Sequence, residues 1–261
     1  MKKKRNKMWL QWLVALILVG GTVGTYFYIH HLEAVKSVKL AKQKKIDEKA
    51  AKVNRKMMKK QAQHMEKPAW NKPSETLPYP DISKYKNKKT YNKVWIYVNL
   101  KTQRLYVNQG PYTLYTMYIY ANKNYEQMAG DQRTPLGLFK IHKKRGSDFY
   151  DAPKSYYYHS WLSYGPKGIF MIQSVPTTQD GKAIKKVTNT LGKKYKHKHV
   201  AKTYGAIWVS APDAKWLAEN LPAKTMILIQ DQKDTNDPYQ VLKKYYQNKK
   251  IEKQFGTGEN K

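Results

Sequence analysis

Apolar residues are arranged along this chain in three contrasting ways, and each arrangement predicts a different kind of structure. Residues 8–29 are almost entirely apolar and contain no Asp, Glu, Lys or Arg, over roughly the 20 residues that a helix needs to cross a bilayer. Residues 30–66 are polar and Lys-rich without Pro or Gly, which predicts a helical stalk. From residue 93 onward the apolar positions are β-branched and aromatic and are separated by turn signals, which predicts strands.

The segment before the apolar run predicts its orientation. Residues 1–7 are mostly Lys and Arg, so the positive-inside rule keeps them in the cytoplasm. The prediction is a single-pass transmembrane helix over residues 8–29 in the cell membrane, with the C-terminal domain extracellular. A cleaved signal peptide is the alternative, but the apolar run is longer than a typical signal peptide has and no A-x-A pattern follows it.

Two patterns in these N-terminal segments indicate weak self-association. Gly20 and Gly24 form a G-x-x-x-G pair, which is typical of helices that pair in membranes. The stalk carries a short apolar stripe, which suits either a brief coiled coil or a solvated single helix. The stripe has 4-3-4 spacing and consists of Ile46, Ala50, Val53 and Met57.

Residues 67–92 contain four prolines in a short span and are predicted to be a partly extended linker. The domain proper is predicted over residues 93–231, followed by a polar tail at 232–261 with one helix near residues 239–247. The domain begins with a β-meander, with turns at residues 99–102 and 108–111. Further strands are predicted within residues 134–141, 168–176, 206–210 and 225–229.

The domain has one clear helix, directly after the strand at residues 206–210. Ser210 is its predicted N-cap, with Asp213 three residues later. The buried stripe of this helix is predicted to be Ala214, Leu217, Ala218 and Leu221. The fold class is therefore mostly β with one clear helix, preceded by a transmembrane helix and a helical stalk.

Composition narrows the chemistry. Lys and Arg number 50 against 18 Asp and Glu, a formal net charge of +32, which predicts a polyanionic partner such as nucleic acid, anionic lipid or an anionic wall polymer. The chain has no Cys, which excludes disulfides, zinc–thiolate sites and a thiol nucleophile. His197 and His199 form an H-x-H pair, but lysines surround them and no carboxylate lies nearby in the sequence. We therefore expect no metal and no cofactor.

The order of five segments resembles the L,D-transpeptidase catalytic domain of bacterial cell-wall enzymes. "VNLKTQRLYV" is similar to the first hairpin of that family, "RTPLGLFKI" to its "TPTGTFxI" segment, and "IFMIQSVP" to its "IxIHSVP" strand. "KTYGAIWVSAPDAKWLAENLP" resembles its signature "xSHGCIRLSNEDAKWLYENLP", and "TMILI" resembles its closing strand. The resemblance covers about residues 93–231 and implies an L,D-transpeptidase-like β-sandwich.

The resemblance also implies where the reactive groups should be. In the family a Cys thiolate attacks a stem-peptide carbonyl, a His two residues earlier takes the thiol proton, and an Arg two residues later holds the site. These positions correspond here to Ala206, Tyr204 and Trp208, and the second His of the family corresponds to Gln173. Tyr204, Ala206 and Trp208 alternate along the chain, so a strand there is predicted to place all three on one face. Gly205 keeps the family Gly, near which backbone N–H groups stabilise the oxyanion.

Four replaced positions predict a pseudoenzyme, because alanine has no nucleophilic atom and a tyrosine with a pKa near 10 is a poor base. The residues predicted to bind a stem peptide, a glycan or a wall-enzyme partner share the family cleft. They are Gln173, Ser174, Tyr204, Trp208, Tyr157 and Tyr158. The alternative for the aromatic residues is that they fill the space of the lost His and Arg side chains.

The expected partner is peptidoglycan or a teichoic-acid-like polymer. Two other functions stay open from the sequence. One is an active peptidoglycan L,D-transpeptidase or other cell-wall enzyme with a non-standard nucleophile. The other is an extracellular protein that binds a polyanion such as DNA, which the net charge favours but no nucleic-acid-binding motif supports.

Overall fold

The computed structural model describes residues 2–85, 93–122, 134–193, 203–232 and 237–247. The chain divides into two compact units, residues 1–50 and residues 51–261. Within the described ranges, no helix is both long and apolar enough to cross a membrane. The transmembrane helix predicted over residues 8–29 falls partly on positions, 14–19 among them, whose side chains lie outside the description.

The elements are named in chain order. The helices are α1 (Lys2–Ala62), α2 (Lys185–Thr188), α3 (Ala211–Asn220) and α4 (Pro238–Gln247). The strands are β1 (Val94–Asn99), β2 (Arg104–Gln109), β3 (Tyr112–Tyr118), β4 (Tyr120–Ala121), β5 (Gly137–Gly146), β6 (Phe149–Asp151), β7 (Tyr156–Tyr158), β8 (Trp161–Tyr164), β9 (Phe170–Ser174), β10 (Ile207–Val209) and β11 (Met226–Gln230).

The second unit contains one nine-stranded sheet, in the order β3-β2-β1-β11-β5-β8-β9-β10-β4. Strand β5 joins its two halves, because residues 137–140 pair with β11 whereas residues 141–146 pair with β8. The two edge strands of this sheet, β3 and β4, are neighbours in the sequence, because only Ile119 lies between them. The two edges of the sheet therefore meet at this residue. The β6–β7 hairpin stands apart as a two-stranded sheet.

The predicted meander is confirmed as β1, β2 and β3, which pair antiparallel in sequence order. Its first turn is fixed by Asn99, whose side-chain oxygen accepts bonds from the backbone N–H groups of Lys101 and Thr102 at 3.0 and 3.3 Å. The second turn contains Gly110 at φ +51°, a left-handed conformation that glycine adopts without strain. Strand β11 then lies parallel to β1, in register from Trp95 opposite Met226.

The main core lies between the sheet and α3. All four predicted stripe residues of α3 are buried, and they pack with strand residues such as Ile96, Ile172, Ile207 and Ile229. The helix begins as predicted, because the Ser210 side chain accepts a hydrogen bond from the backbone N–H of Asp213 at 3.3 Å. This helix therefore anchors the end of β10, where the candidate site lies.

The free edge of β3 is covered by residues 54–75 of the same chain. Asn54 and Glu75 accept hydrogen bonds from the N–H groups of Thr113 and Thr116 at 2.8 and 2.6 Å. Ser74 Oγ accepts one from Tyr118 N at 2.9 Å. The outward-facing backbone groups of an edge strand thus find side-chain partners, and part of the predicted Pro-containing linker packs against the domain.

The other face of β1 and β2 is covered by helices. Tyr239 and Leu242 of α4 are buried against Trp95 and Tyr97 of β1, and Met58 of α1 packs on the same cluster. Helix α4 matches the helix predicted within the polar tail. Its two buried apolar side chains attach the start of that tail to the sheet.

Candidate functional site

Strand β10 is short and lies between two partners. It pairs in parallel with β9, with Trp208 opposite Gln173, and antiparallel with β4, with Trp208 opposite Tyr120. Ala206 directly precedes this strand, and its N–H donates to the carbonyl oxygen of Thr203 at 3.0 Å, which closes a turn. The region that resembles the family signature is therefore a tight turn, a three-residue strand and the start of α3.

The prediction that Tyr204, Ala206 and Trp208 share one strand face is wrong for Tyr204. Tyr204 and Gly205 have φ values of +53° and +83°, so both lie in left-handed turn backbone before the strand begins. The Tyr204 side chain is 46% exposed, and the ammonium group of Lys154 lies 4.5 Å from its ring centroid. This is a cation–π contact at the surface of the site.

Ala206 and Trp208 face the interior instead. They are 5% and 1% exposed and belong to one buried cluster with Tyr120, Tyr158 and Val175. The Trp208 ring lies 5.9 Å from that of Tyr120. The structure therefore supports the filling alternative for Trp208, whose indole occupies interior space where the family places an Arg. Among the described residues its indole Nε1 finds no hydrogen-bond partner.

Gln173 and Ser174 of β9 are buried as well. Ser174 Oγ accepts a hydrogen bond from the backbone N–H of His159 at 2.8 Å, so its hydroxyl has a structural partner. Gln173 interacts with the hydroxyl of Tyr158, whose pKa lies well above its ordinary value because the ring is desolvated by burial. The other amide atom of Gln173, Oε1, is buried without a partner in the described part of the chain.

The two predicted tyrosines of β7 differ in exposure. Tyr158 is buried and stacks on Phe149 with ring centroids 4.6 Å apart. Tyr157 is half-buried and exchanges backbone hydrogen bonds with Thr177 at 2.8 and 2.9 Å. Of the six predicted binding residues, Tyr204 and Tyr157 therefore keep exposed surface, whereas the other four are buried.

Sequence reasoning missed a contact around His159. Its Nε2 lies 3.0 Å from Thr177 Oγ1, and its Nδ1 lies 3.7 Å from a carboxylate oxygen of Asp148. A hydroxyl, an imidazole and a carboxylate in this order match the arrangement that activates a serine-type nucleophile. However, Thr177 is fully buried, and its hydroxyl also lies 3.0 Å from the carbonyl oxygen of Thr178. A substrate carbonyl has no route to this oxygen in the observed conformation.

A second missed feature is a buried polar cluster behind the start of α3. The Asp213 carboxylate accepts hydrogen bonds from Ser74 Oγ at 2.6 Å and from the Tyr79 hydroxyl at 2.8 Å. Burial raises the pKa of Asp213. Burial also raises the pKa of the neighbouring Glu75 to about 7. These contacts fasten the segment before the domain to the helix that follows β10.

Other predicted features fall in different places. His197 and His199 lie outside the described residues. Gly205 is buried and its carbonyl oxygen accepts a hydrogen bond from the Tyr164 hydroxyl at 3.3 Å, so it holds the turn to β8. Within the described ranges no three His, Asp or Glu side chains are grouped closely enough to hold a metal ion.

Comparison with known proteins agrees with the geometry. The L,D-transpeptidase catalytic domain family (YkuD) matches residues 93–229. The chain is similar to YciB of Bacillus subtilis (strain 168), whose name describes it as an L,D-transpeptidase. The two are 36% identical over 160 residues, which cover 61% of this chain and 73% of YciB.

Solved structures with the same resemblance are more distant. An L,D-transpeptidase from Stackebrandtia nassauensis shares 16% identity over 58% of this chain, with a TM-score of 0.38. One from Xylanimonas cellulosilytica DSM 15894 shares 14% identity over 59%, with a TM-score of 0.37. The chain spans 62% and 64% of these two solved chains. The matched stretch, the relative and the mostly-β sheet together show that this chain belongs to the L,D-transpeptidase catalytic domain family.

Proposed function

We propose that this chain is a catalytically inactive member of the L,D-transpeptidase family that binds peptidoglycan at the surface around Tyr204. The proposal rests on the side chain and the burial of Ala206. The position that bears the nucleophile in the family has only a methyl group, which is 5% exposed and packed in a cluster with Trp208 and Tyr158. No covalent intermediate can form there, because an alanine side chain has no atom that attacks a carbonyl.

The remaining groups do not replace the lost chemistry. Tyr204 occupies the family position of the base, but its side chain points to the surface beside Lys154 rather than into the Ala206 cluster. Among the described residues near the site, Thr177, His159 and Asp148 form a hydroxyl–imidazole–carboxylate arrangement, but its hydroxyl is fully buried. Both facts favour binding over catalysis.

The exposed groups suit a peptide that bears carboxylates. Tyr204 offers an exposed ring, and a non-glycine residue held at φ +53° is a strained conformation of the kind found at functional positions. The ammonium group of Lys154 lies over that ring and also forms an ion pair with the carboxylate of Asp151. Tyr157, on the same hairpin as Lys154, adds half-buried aromatic surface. Stem peptides of peptidoglycan carry free carboxylates, which an ammonium and a phenol bind by charge-assisted hydrogen bonds.

A direct test of inactivity is to incubate the purified full-length protein with stem peptides and to analyse the products by mass spectrometry. The expected result is that only unreacted peptides are recovered. The appearance of cross-linked or trimmed peptides above a heat-denatured control would contradict inactivity and would favour an enzyme with a non-standard nucleophile.

Binding is tested by sedimentation with purified wall sacculi, before and after chemical removal of phosphate-containing polymers. We expect retention on the stripped sacculi, and we expect Tyr204→Ala and Lys154→Ala to reduce it several-fold. Lys84→Ala is the matched control, because Lys84 also lies over a tyrosine ring, that of Tyr85 at 5.4 Å, at a different surface. Equal loss of retention in the control variant would show that only the net charge of the protein matters for binding. Loss of all binding on stripping would identify the phosphate polymer, not peptidoglycan, as the partner.

The proposal requires the domain to lie outside the cytoplasmic membrane, as residues 1–29 of the sequence predict. Treating intact cells with an external protease and probing a C-terminal tag tests this location. Degradation of the tag while a cytoplasmic marker survives is the expected result, and survival of both would refute it.

A further inference from the structure

The segment that follows α1 contains a hairpin, residues 64–76, which precedes the stretch that matches the family. Its two arms pair antiparallel at Met65 and Glu75. The backbone N–H of Glu66 donates to the carbonyl oxygen of Ser74 at 3.0 Å. The hairpin therefore has hydrogen bonds of its own and can separate from the domain as one unit.

The tip of the hairpin packs on the buried cluster that contains Ala206 and Trp208. The Trp70 side chain is half-buried and lies against that cluster. Its ring stacks on the imidazole of His159, with centroids 6.3 Å apart. The carbonyl oxygen of Trp70 accepts the backbone N–H of Ala211 at 2.7 Å, one of the N–H groups that the first turn of a helix leaves without a partner. The tip thus contacts both the cluster and the start of α3.

Two buried carboxylates hold the base of the hairpin. Asp213 of α3 accepts a hydrogen bond from Ser74 Oγ at 2.6 Å, and the same hydroxyl oxygen accepts the N–H of Tyr118 at 2.9 Å. The carboxylate of Glu75 accepts the N–H of Thr116 at 2.6 Å. Ser74, Glu75 and Asp213 are 4%, 2% and 0% exposed, so the hairpin shields these bonds from water.

The surroundings of the two carboxylates favour their neutral forms. Burial raises the pKa of Glu75 to about 7 and also raises the pKa of Asp213, because desolvation penalises an ionised group. Within the described ranges neither carboxylate forms an ion pair with a Lys, Arg or His side chain. The other titratable groups that face them are the hydroxyls of Tyr79 and Tyr115, whose pKa values burial also raises, so both phenols stay uncharged near neutral pH.

We propose that the hairpin is a pH-controlled lid, which ionisation of Glu75 and Asp213 releases from β3 and α3 to uncover the apolar cluster around Trp208. Two neighbouring buried anions repel each other, and water solvates them only when the hairpin leaves its place. The lid is closed in acidic surroundings and opens as the pH rises through neutrality. This device goes beyond the proposed function and does not depend on whether the chain binds peptidoglycan.

The test is amide hydrogen exchange of the full-length protein at pH 6 and at pH 8, with each rate divided by its intrinsic rate. The reporters are the amides of Ala211 and Tyr118, whose acceptors lie on the hairpin. We expect the open fraction to rise about tenfold more between the two pH values in the wild type than in Glu75→Gln, which cannot ionise. An equal rise in both proteins would overturn the proposal. The imidazoles of His64 and His159 also contact hairpin side chains, but both proteins keep them, so the comparison cancels their effect.

Local opening of the lid is distinguished from global unfolding by the amide of Ile96, which lies within β1. We expect the amides of Ala211 and Tyr118 to be at least ~10-fold less protected than that of Ile96 at pH 8. Equal protection of the three amides would show that the hairpin leaves only when the whole domain unfolds, and would overturn the lid.

The substitution Trp70→Ala tests the contact at the tip. It should raise the open fraction about tenfold at both pH values, because the apolar contact is lost while the carboxylates stay. Lys72→Ala is the matched control, since Lys72 lies on the same hairpin and is exposed. An equal effect of the two substitutions would overturn the assignment of Trp70 as the residue that closes the lid over the cluster.

Discussion

Glu75 is predicted to make the stability of the domain depend on pH. Its side chain is 2% exposed, and its Oε1 accepts the N–H of Thr116 at 2.6 Å. Burial is the main cause that raises its pKa from 4.5 to about 7, because desolvation penalises the ionised form. The substitution Glu75→Gln keeps an acceptor oxygen for Thr116 and removes the charge at every pH.

The direction of this pH dependence follows from whether the folded or the unfolded protein binds the proton more tightly. Between pH 4.5 and about 7 the carboxyl is protonated in the folded protein but ionised in the unfolded chain. The contribution of Glu75 to the free energy of unfolding therefore falls as the pH rises through this window and is constant above it. At about 1.4 kcal/mol for each pH unit, the loss is roughly 3 kcal/mol. Asp213 also has a raised pKa through burial, so it adds loss in the same direction to both proteins.

The assay is urea unfolding of the wild type and Glu75→Gln at pH 5 and at pH 8. We expect the variant to gain roughly 3 kcal/mol relative to the wild type between the two pH values. Taking the difference between pH values cancels the cost of placing an amide nitrogen where Glu75 Oε2 is buried without a partner in the described residues. Glu219→Gln, on the exposed face of α3, is the control and should change nothing. Parallel profiles for wild type and Glu75→Gln would refute the reasoning.

Three further predictions concern the region around β10. Because the chain has no Cys, a Cys introduced at position 206 in the variant Ala206→Cys is the only thiol. Its buried site should make it react with a disulfide reagent ~100-fold more slowly than the thiol of Tyr204→Cys, which lies at an exposed position. Similar rates for the two variants would contradict the packing of Ala206. Trp208→Ala should lower the free energy of unfolding by about 3–5 kcal/mol, and a loss below about 1 kcal/mol in urea unfolding would show that the indole does not fill the core. Asp213→Asn should lower the free energy of unfolding by about 1–3 kcal/mol, since the Ser74 and Tyr79 hydroxyls lose a carboxylate acceptor. Asn220→Asp at the exposed end of α3 is the comparison variant. Equal effects of the two substitutions would argue against a stabilising role of the polar cluster.

The parts of the fold that depend on neighbouring residues were predictable. Asn99, Gly110 and Ser210 are turn and cap residues whose roles are set within a few positions, and the structure confirms their turns and cap. The stripe of α3 follows from helical spacing alone. Alternation along the strand predicts the wrong side for Tyr204, because Gly205 lies beside a short strand and is itself a signal that the strand has ended.

Contacts between distant segments could not be read from local pattern. Ser74 and Asp213 are 139 positions apart, and a Pro-rich segment is typical of a linker whether or not it packs. Asp213 already had a local explanation in the N-terminal turn of α3, so its buried carboxylate gave no further signal. Tyr158 is predicted from the sequence as a binding residue, but it lies buried in strand β7 and stacks on Phe149.

The side chains that cover β3 come from Asn54, Ser74 and Glu75, all of which precede the matched stretch that begins at residue 93. A protein expressed from residue 93 would contain every strand of the sheet but would leave those backbone N–H groups of its outer strand open to water. Open strands of this kind recruit a second chain and seed aggregates. We therefore expect a soluble version of this domain to need residues 54–75 in addition to the matched stretch, because these residues cover the edge at which a second chain would pair.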